Sequence, residues 1–216
     1  NGQYVIDTTM INNGSNDNCG IDTMYLNNYT FNCIDTGANT VTLTVVDVNG
    51  NVSTRDATVW VYDTIAPVLQ VQDLVVYLDA NGQAFITAAE ADSGSYDNCT
   101  VDTLEVSQTD FDCSMVGNNT VTFFATDIFG NVDSTTFNVS VVDTIKPTLL
   151  ATGLTIYLDD NGMASIVTSD IDTGSFDNCS VDTAYLSQYD FSCEHVDSNA
   201  ITLYVEDVNG NIDSTV

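Results

Sequence analysis

Short runs of alternating apolar and polar residues, each closed by a cluster of Gly, Asn or Asp, fill this chain. In "NTVTFFATD" (119–127), Val121, Phe123 and Ala125 fall on one side. In "NVDSTTFNVSVVD" (131–143), Phe137, Val139 and Val141 do the same. A period of two marks a half-buried strand. "VLQVQDLVVYL" (68–78), "QAFITAAE" (83–90) and "VDTLEVSQ" (101–108) also read as strands, and "FDC" as a short one. "DANG" (79–82) and "IFGN" (128–131) supply turn chemistry. No segment carries a convincing helical period. Six or seven short strands within one such stretch predict an all-β fold, an immunoglobulin-like β-sandwich.

The same stretch recurs. "GSNDNC" begins at Gly14, "GSYDNC" at Gly94 and "GSFDNC" at Gly174, 80 residues apart each time. Asp47, Asp127 and Asp207 keep that step, as do Gly50, Gly130 and Gly210. Fixed self-similarity at this period is the signature of a tandem array. The predicted repeats are 1–66, lacking its opening segment, 67–146, complete, and 147–216, lacking its end. This register predicts a segment of a longer protein. Pro67 and Pro147 open the repeats, where a missing N–H does little harm. The linkers "VYDTIAPV" and "VVDTIKPT" contain no glycine, which predicts repeats joined end to end as a semi-rigid rod.

A repeat of this size is marginal without reinforcement. The six cysteines fall in pairs 14 apart: Cys19 and Cys33, Cys99 and Cys113, Cys179 and Cys193. Even numbers at fixed spacing predict disulfides, here within each repeat, and an oxidising compartment. Zinc is the rival, but two cysteines per repeat and one histidine do not fill a tetrahedral site.

Charge narrows the partners. Acids number 31 against two bases, Arg55 and Lys146, for a net charge of −29. Such a surface repels nucleic acid and anionic membranes and attracts cations. With 44% hydrophobic residues in a regular pattern, the chain is not a disordered acidic tail.

Two acidic constellations recur. The first is "DVNGN" at 47–51 and 207–211 and "DIFGN" at 127–131, together with the linker aspartates. Its plain reading is a hairpin turn. Its functional reading is calcium, which takes six to eight hard oxygens, with Asp47, Asp63, Asp127, Asp143 and Asp207 as candidate ligands. Position 49 becomes Phe129 in the middle repeat, so that side chain is not a required ligand. The second is the loop before the DNC cysteine. Asp92, Asp97, Asp172 and Asp177 are its candidates, either as turn formers or as a second cation site.

Catalytic signals are missing. His195, the one histidine, aligns with Met115 and Asp35, and no P-loop, nucleophile elbow or HExxH is present. The chain therefore reads as a non-enzyme. Trp60 aligns with Ser140, so no repeated site uses it.

The pair "DVNGN" and "DTIAP" resembles the bacterial immunoglobulin-like repeats of giant surface adhesins. The "SYDNC" loop resembles the HYR-like modules of Bacteroidota cell-surface proteins of the gliding-motility adhesin type. The resemblance spans the whole chain. It implies an extracellular, bacterial cell-surface protein with calcium at its domain junctions. It also implies O-glycan acceptors at Asp–Thr and Asp–Ser strings: Thr8, Thr23, Thr64, Thr103, Ser134, Thr144, Thr183 and Ser214. Animal hyalin repeats place the second cysteine after the Gly-Asn turn; here it precedes it.

These readings together predict a structural stalk or fibre segment serving adhesion or gliding motility. Its partners are neighbouring repeats, an extracellular glycan or surface, and copies of itself. A glycan- or protein-binding module and a laterally assembled filament or sheath are the alternatives.

Overall fold

The computed structural model describes residues 2–216. Strands dominate it, with three one-turn α-helices and three 3-10 turns. The chain divides into two compact units. One holds Asn1–Gln70, Gly94–Glu105 and Phe124–Thr135; the other holds Val71–Ser93, Val106–Phe123 and Thr136–Val216.

In the first unit a three-stranded sheet has the order Ile21–Leu26, Gly37–Asp47, Val52–Val61, antiparallel throughout. A small ribbon pairs Gln3–Val5 with Thr30–Asn32. Leu26, Val41 and Leu43 from the sheet pack with Phe31 from the ribbon and with Ile6, making a sandwich core. The second unit repeats the plan. Val181–Leu186, Leu203–Asp207 and Ile212–Thr215 form the sheet, and Met163–Ser165 with Asp190–Ser192 the ribbon. Leu186, Leu203, Val205, Phe191 and Ile166 are its core.

The middle repeat carries a four-stranded sheet in the order Leu74–Tyr77, Val132–Val142, Gly117–Asp127, Val101–Val106. The pairing of Val139–Val142 with Leu74–Tyr77 is parallel. The alternation that predicted these strands is met residue by residue. Val121, Phe123, Ala125 and Val139 have no exposed surface, and Phe137 and Val141 are buried.

Two predicted strands are shorter than their patterns. Of 68–78, only Leu74–Tyr77 is a strand; Val68 and Val71 make single bridges to Tyr96 and Asp92. Of 83–90, Gln83–Phe85 is a strand, and Ala88–Ala91 forms one helical turn. The cause is a Thr-x-x-Glu box: the Thr87 N–H donates to Glu90 Oε2 at 2.7 Å. The third repeat does the same with Val167 N–H and Asp170 Oδ2 at 2.8 Å. Asp7 starts the first repeat's turn by accepting from Thr9 N at 2.8 Å and Met10 N at 3.2 Å.

Aspartates organise the hairpins. Asp47 Oδ1 accepts from the N–H groups of Asn49 and Asn51, both at 2.8 Å, and Oδ2 from Asn51 Nδ2 at 2.7 Å. The Asn51 side chain, followed by the backbone N–H groups, holds the Asp47 carboxyl below its ordinary range. A carboxyl depressed on folding adds stability above its unfolded pKa, near 3.9, and loses it as pH falls through the folded value. The stability gap between the native chain and Asp47→Asn is expected to close on acidification from pH 6 to pH 2.5. Urea unfolding at the two pH values checks this; a gap independent of pH would refute it.

Candidate metal centre

The bridges that form are Cys33–Cys99 and Cys113–Cys179, each closing 66 residues with Cα atoms 5.5 and 5.3 Å apart. The predicted in-repeat pairs Cys19–Cys33, Cys99–Cys113 and Cys179–Cys193 do not form. Cys19 and Cys193 are exposed free thiols. Each bridge instead ties one repeat to the DNC loop of the next. A period of 80 and a spacing of 14 make the 66-residue separation as regular as the 14, so sequence spacing does not choose between them. Local geometry does. Cys113 opens a 3-10 turn that Asp112 caps by accepting from Ser114 N at 2.8 Å. Its Sγ then sits 3.8 Å from Gly82 O and 3.4 Å from Asn178 O.

Gly82 is a residue that turn chemistry alone undervalued. Its φ is +72°, and a Cβ there would lie 2.5 Å from Cys113 Sγ and 2.9 Å from Asn178 O. Gly2 faces Cys33 and Asn98 in the same way. The recurrence of Asn-Gly at 1–2, 81–82 and 161–162 was the available signal. Gly82→Ala is expected to cost at least about 2 kcal/mol, from left-handed backbone plus overpacking. Thermal unfolding of the oxidised variant measures it; a loss under about 0.5 kcal/mol would contradict the packing described.

The staples deliver the DNC loop to the linker aspartates. In the second unit Asp143, Asp177 and Asp207 bring carboxylate oxygens within 4.8 Å of one another. Asp143 and Asp207 are buried, at 6% and 2% exposure. Asn178 Nδ2 donates to Asp143 Oδ1 at 3.2 Å and to Asp79 O at 3.2 Å. Asp177 Oδ2 accepts from Cys179 N at 2.8 Å. The Asp207 turn accepts from Asn209 N and Asn211 N at 2.8 Å, and Asn211 Nδ2 reaches Asp143 O at 3.3 Å. Four buried oxygens of this unit have no hydrogen-bond partner: Asp143 Oδ2, Asp177 Oδ1, Asn178 Oδ1 and Asn209 Oδ1.

The first unit holds the counterpart. Asp63 and Asp97 approach within the same limit, beside Cys99; the Cys99 sulfur is committed to its bridge and is no thiolate ligand. Asn98 Nδ2 donates to Asp63 Oδ1 and Oδ2 at 3.2 and 3.3 Å. A carboxylate only accepts, so this contact fixes the amide with its oxygen turned away. Asp97 Oδ1 and Asn98 Oδ1 are buried without a partner. Asp127 is 2% exposed, and its oxygens accept from Phe129 N, Asn131 N and Asn131 Nδ2 at 2.7–2.8 Å. Burial raises its carboxyl, but the Asn131 and Phe129 hydrogen bonds outweigh that and leave it below its ordinary range.

The candidate ligands thus regroup. Asp143 meets Asp207 of the following repeat, not Asp127 of its own. Asp63 is joined through Asn131 Nδ2, which donates to Asp63 O at 3.3 Å, to the turn of the following repeat. Asp47 belongs to neither group and closes its own hairpin. Residues of the two predicted constellations, linker and DNC loop, lie together in each unit as one candidate cluster. The other loop aspartates serve turns. Asp172 Oδ1 accepts from Gly174 N and Ser175 N at 3.0 and 2.8 Å, and Asp92 N–H closes the helical turn on Ala88 O at 3.0 Å.

Buried acceptors without donors cost about 1–3 kcal/mol each. Here the carboxylates of Asp143, Asp177 and Asp207 converge, and the partnerless atoms of both clusters are all oxygens. That donor set fits a hard divalent cation, calcium above all, and lacks the sulfur and imidazole that zinc prefers.

Elsewhere, Thr23, Thr64, Thr103, Ser134, Thr144, Thr183 and Ser214 are exposed and Thr8 is half-buried. His195 Nδ1 accepts from Ser192 N at 3.0 Å, and its ring meets Phe191 edge-on. Trp60 and Tyr62 stack in the open, with centroids 6.2 Å apart. Among the described residues no helix is long and apolar enough to cross a membrane.

No family model matches the chain, and no curated protein does. Among solved structures it is similar to the protocadherin gamma B7 extracellular cadherin domains 1–4, at 14% identity, TM-score 0.31, over 90% of this chain and 66% of that one. It is similar to the protocadherin gamma B4 extracellular domain at 16% identity, TM-score 0.35, over 99% and 44%. The human desmocollin-1 ectodomain follows at 10% identity, TM-score 0.28, over 82% and 42%. The chain therefore spans less than two thirds of each of these structures, and likenesses at such TM-scores carry no functional inference.

Proposed function

We propose that this chain is a structural segment of an extracellular bacterial surface adhesin, serving adhesion or gliding motility. Its repeats, bounded at Pro67 and Pro147, are joined by a disulfide and a calcium ion at each junction. The observation that carries the reading is the set of buried, unpartnered oxygens on Asp143, Asp177, Asn178 and Asn209, beside a staple joining consecutive repeats. Disulfides of this kind persist in oxidising compartments, which supports an extracellular setting. The side chains of one repeat are incomplete as a cation site; the ligands come from two repeats, so a bound ion resists bending where they meet. The exposed Asp–Thr and Asp–Ser hydroxyls are the proposed glycan attachment points. Catalysis has no place in this reading, since His195 is held by the turn it caps.

Small-angle scattering of the 216-residue chain in millimolar calcium and in chelator tests the mechanical role. Calcium is expected to narrow the distribution of maximum dimensions. Identical curves in both conditions would reject stiffening by the ion.

One observation favours a glycan-binding module instead. The stacked, exposed Trp60–Tyr62 pair presents an aromatic face of the kind on which sugar rings lie. Binding to a glycan array that disappears in Trp60→Ala would support that reading.

A further inference from the structure

The two clusters are not equal. We infer that they bind calcium in two steps, the Asp143 cluster first, with Asn209 as the side chain that separates them. This rests on the cation reading above.

Three differences point the same way. With the amide oxygens of Asn98 and Asn178 turned away, the Asp143 cluster keeps Asp143 Oδ2 and Asp177 Oδ1 without partners, with Asn209 Oδ1 on the Asp207 turn, and the Asp63 cluster keeps Asp97 Oδ1. Asp143 is 6% exposed and keeps Oδ2 free, whereas Asp63 is half-buried and both of its oxygens accept from Asn98 Nδ2. Asp207 brings a third carboxylate within range of its partners, while Asp127, its counterpart, is not in the Asp63 group.

The residue that differs is one step beyond the turn aspartate's neighbour. Asn209 Oδ1 is one of the four orphan oxygens. In register 80 residues earlier stands Phe129, whose side chain has no oxygen. Everything else in the two sites is matched: Asp63 with Asp143, Asp97 with Asp177, Asn98 with Asn178, Asn131 with Asn211. Hard-cation affinity follows the number and charge of oxygen ligands. Loss of one neutral ligand and of one converging carboxylate therefore weakens the first site. A cell-surface calcium level between the two affinities would fill one junction and leave the other loose.

Calcium titration calorimetry on the oxidised 216-residue chain reads the steps directly. The native chain is expected to show two classes of site differing by about tenfold or more. Asn209→Phe is expected to weaken the tight class, and Phe129→Asn to strengthen the weak class until the two merge. Asn209→Asp keeps an oxygen and is expected to retain tight binding, which separates ligand loss from misfolding of the turn. A single class in the native chain, or isotherms unmoved by both Asn209→Phe and Phe129→Asn, would overturn the inference and leave the cation reading standing. No binding heat, together with no change in terbium luminescence excited through tyrosine, would overturn both.

Discussion

Replacing Cys113 and Cys179 together by serine is expected to cost about 4 kcal/mol, the chain-entropy value for a loop of this length. The bridge closes 66 residues, so the unfolded chain regains much freedom when it is removed. The second unit is expected to lose its cooperative transition first, since its staple also holds the Asp177–Asn178 loop against Asp143. Connectivity can be read independently. Trypsin has one usable site, Arg55, because Lys146 precedes Pro147. With Cys33 bonded to Cys99 across that cut, the two fragments stay together on a denaturing gel until reductant is added. Pairs closed within a repeat would let them separate without reductant, and that result would refute the pairing.

Calcium is expected to raise the thermal midpoint of the oxidised chain, and chelator to lower it. An ion that binds only the folded state stabilises by about 2.7 kcal/mol at one hundred times its dissociation constant. Two effects add here. The ion gives partners to oxygens that otherwise lie buried without them, and it neutralises part of a net charge of −29. Asp143→Asn should remove most of the gain at the second cluster, since Asp143 supplies both a buried charge and a free Oδ2. Superimposable melts with calcium and with chelator would defeat the cation reading. Melts displaced equally by calcium in the native chain and in Asp143→Asn would move the site elsewhere.

Much of the fold was legible beforehand because it is written in alternation. Val121, Phe123 and Ala125 could be placed on one buried face from their period alone, and they are fully buried. Where a local motif competes with alternation, the reading fails. "ITAAE" looks like the end of a strand, but the reach of Glu90 back to Thr87 N–H turns it into a helical turn. Ligand grouping was less legible. Asp63, Asp143 and Asp207 were visible as repeated acids, and so were Asp97 and Asp177. That they fall into two clusters, Asp63 with Asp97 and Asp143 with Asp177 and Asp207, depends on which repeat's loop each linker meets. Asn98 and Asn178 lie in the same DNC loop, and only the fold shows that their amides hold the linker carboxylates.

Sequence alone determined the period, the all-β pattern, the acidic surface and the inventory of sulfur and oxygen donors, because these depend on residue identity and order. Tertiary structure decided the partners. A fixed step of 80 makes bonding within a repeat and bonding to the next one equally regular along the chain. Only the place where Cys113 comes to rest, against Gly82 and Asn178 with no room for a Cβ between, selects the second.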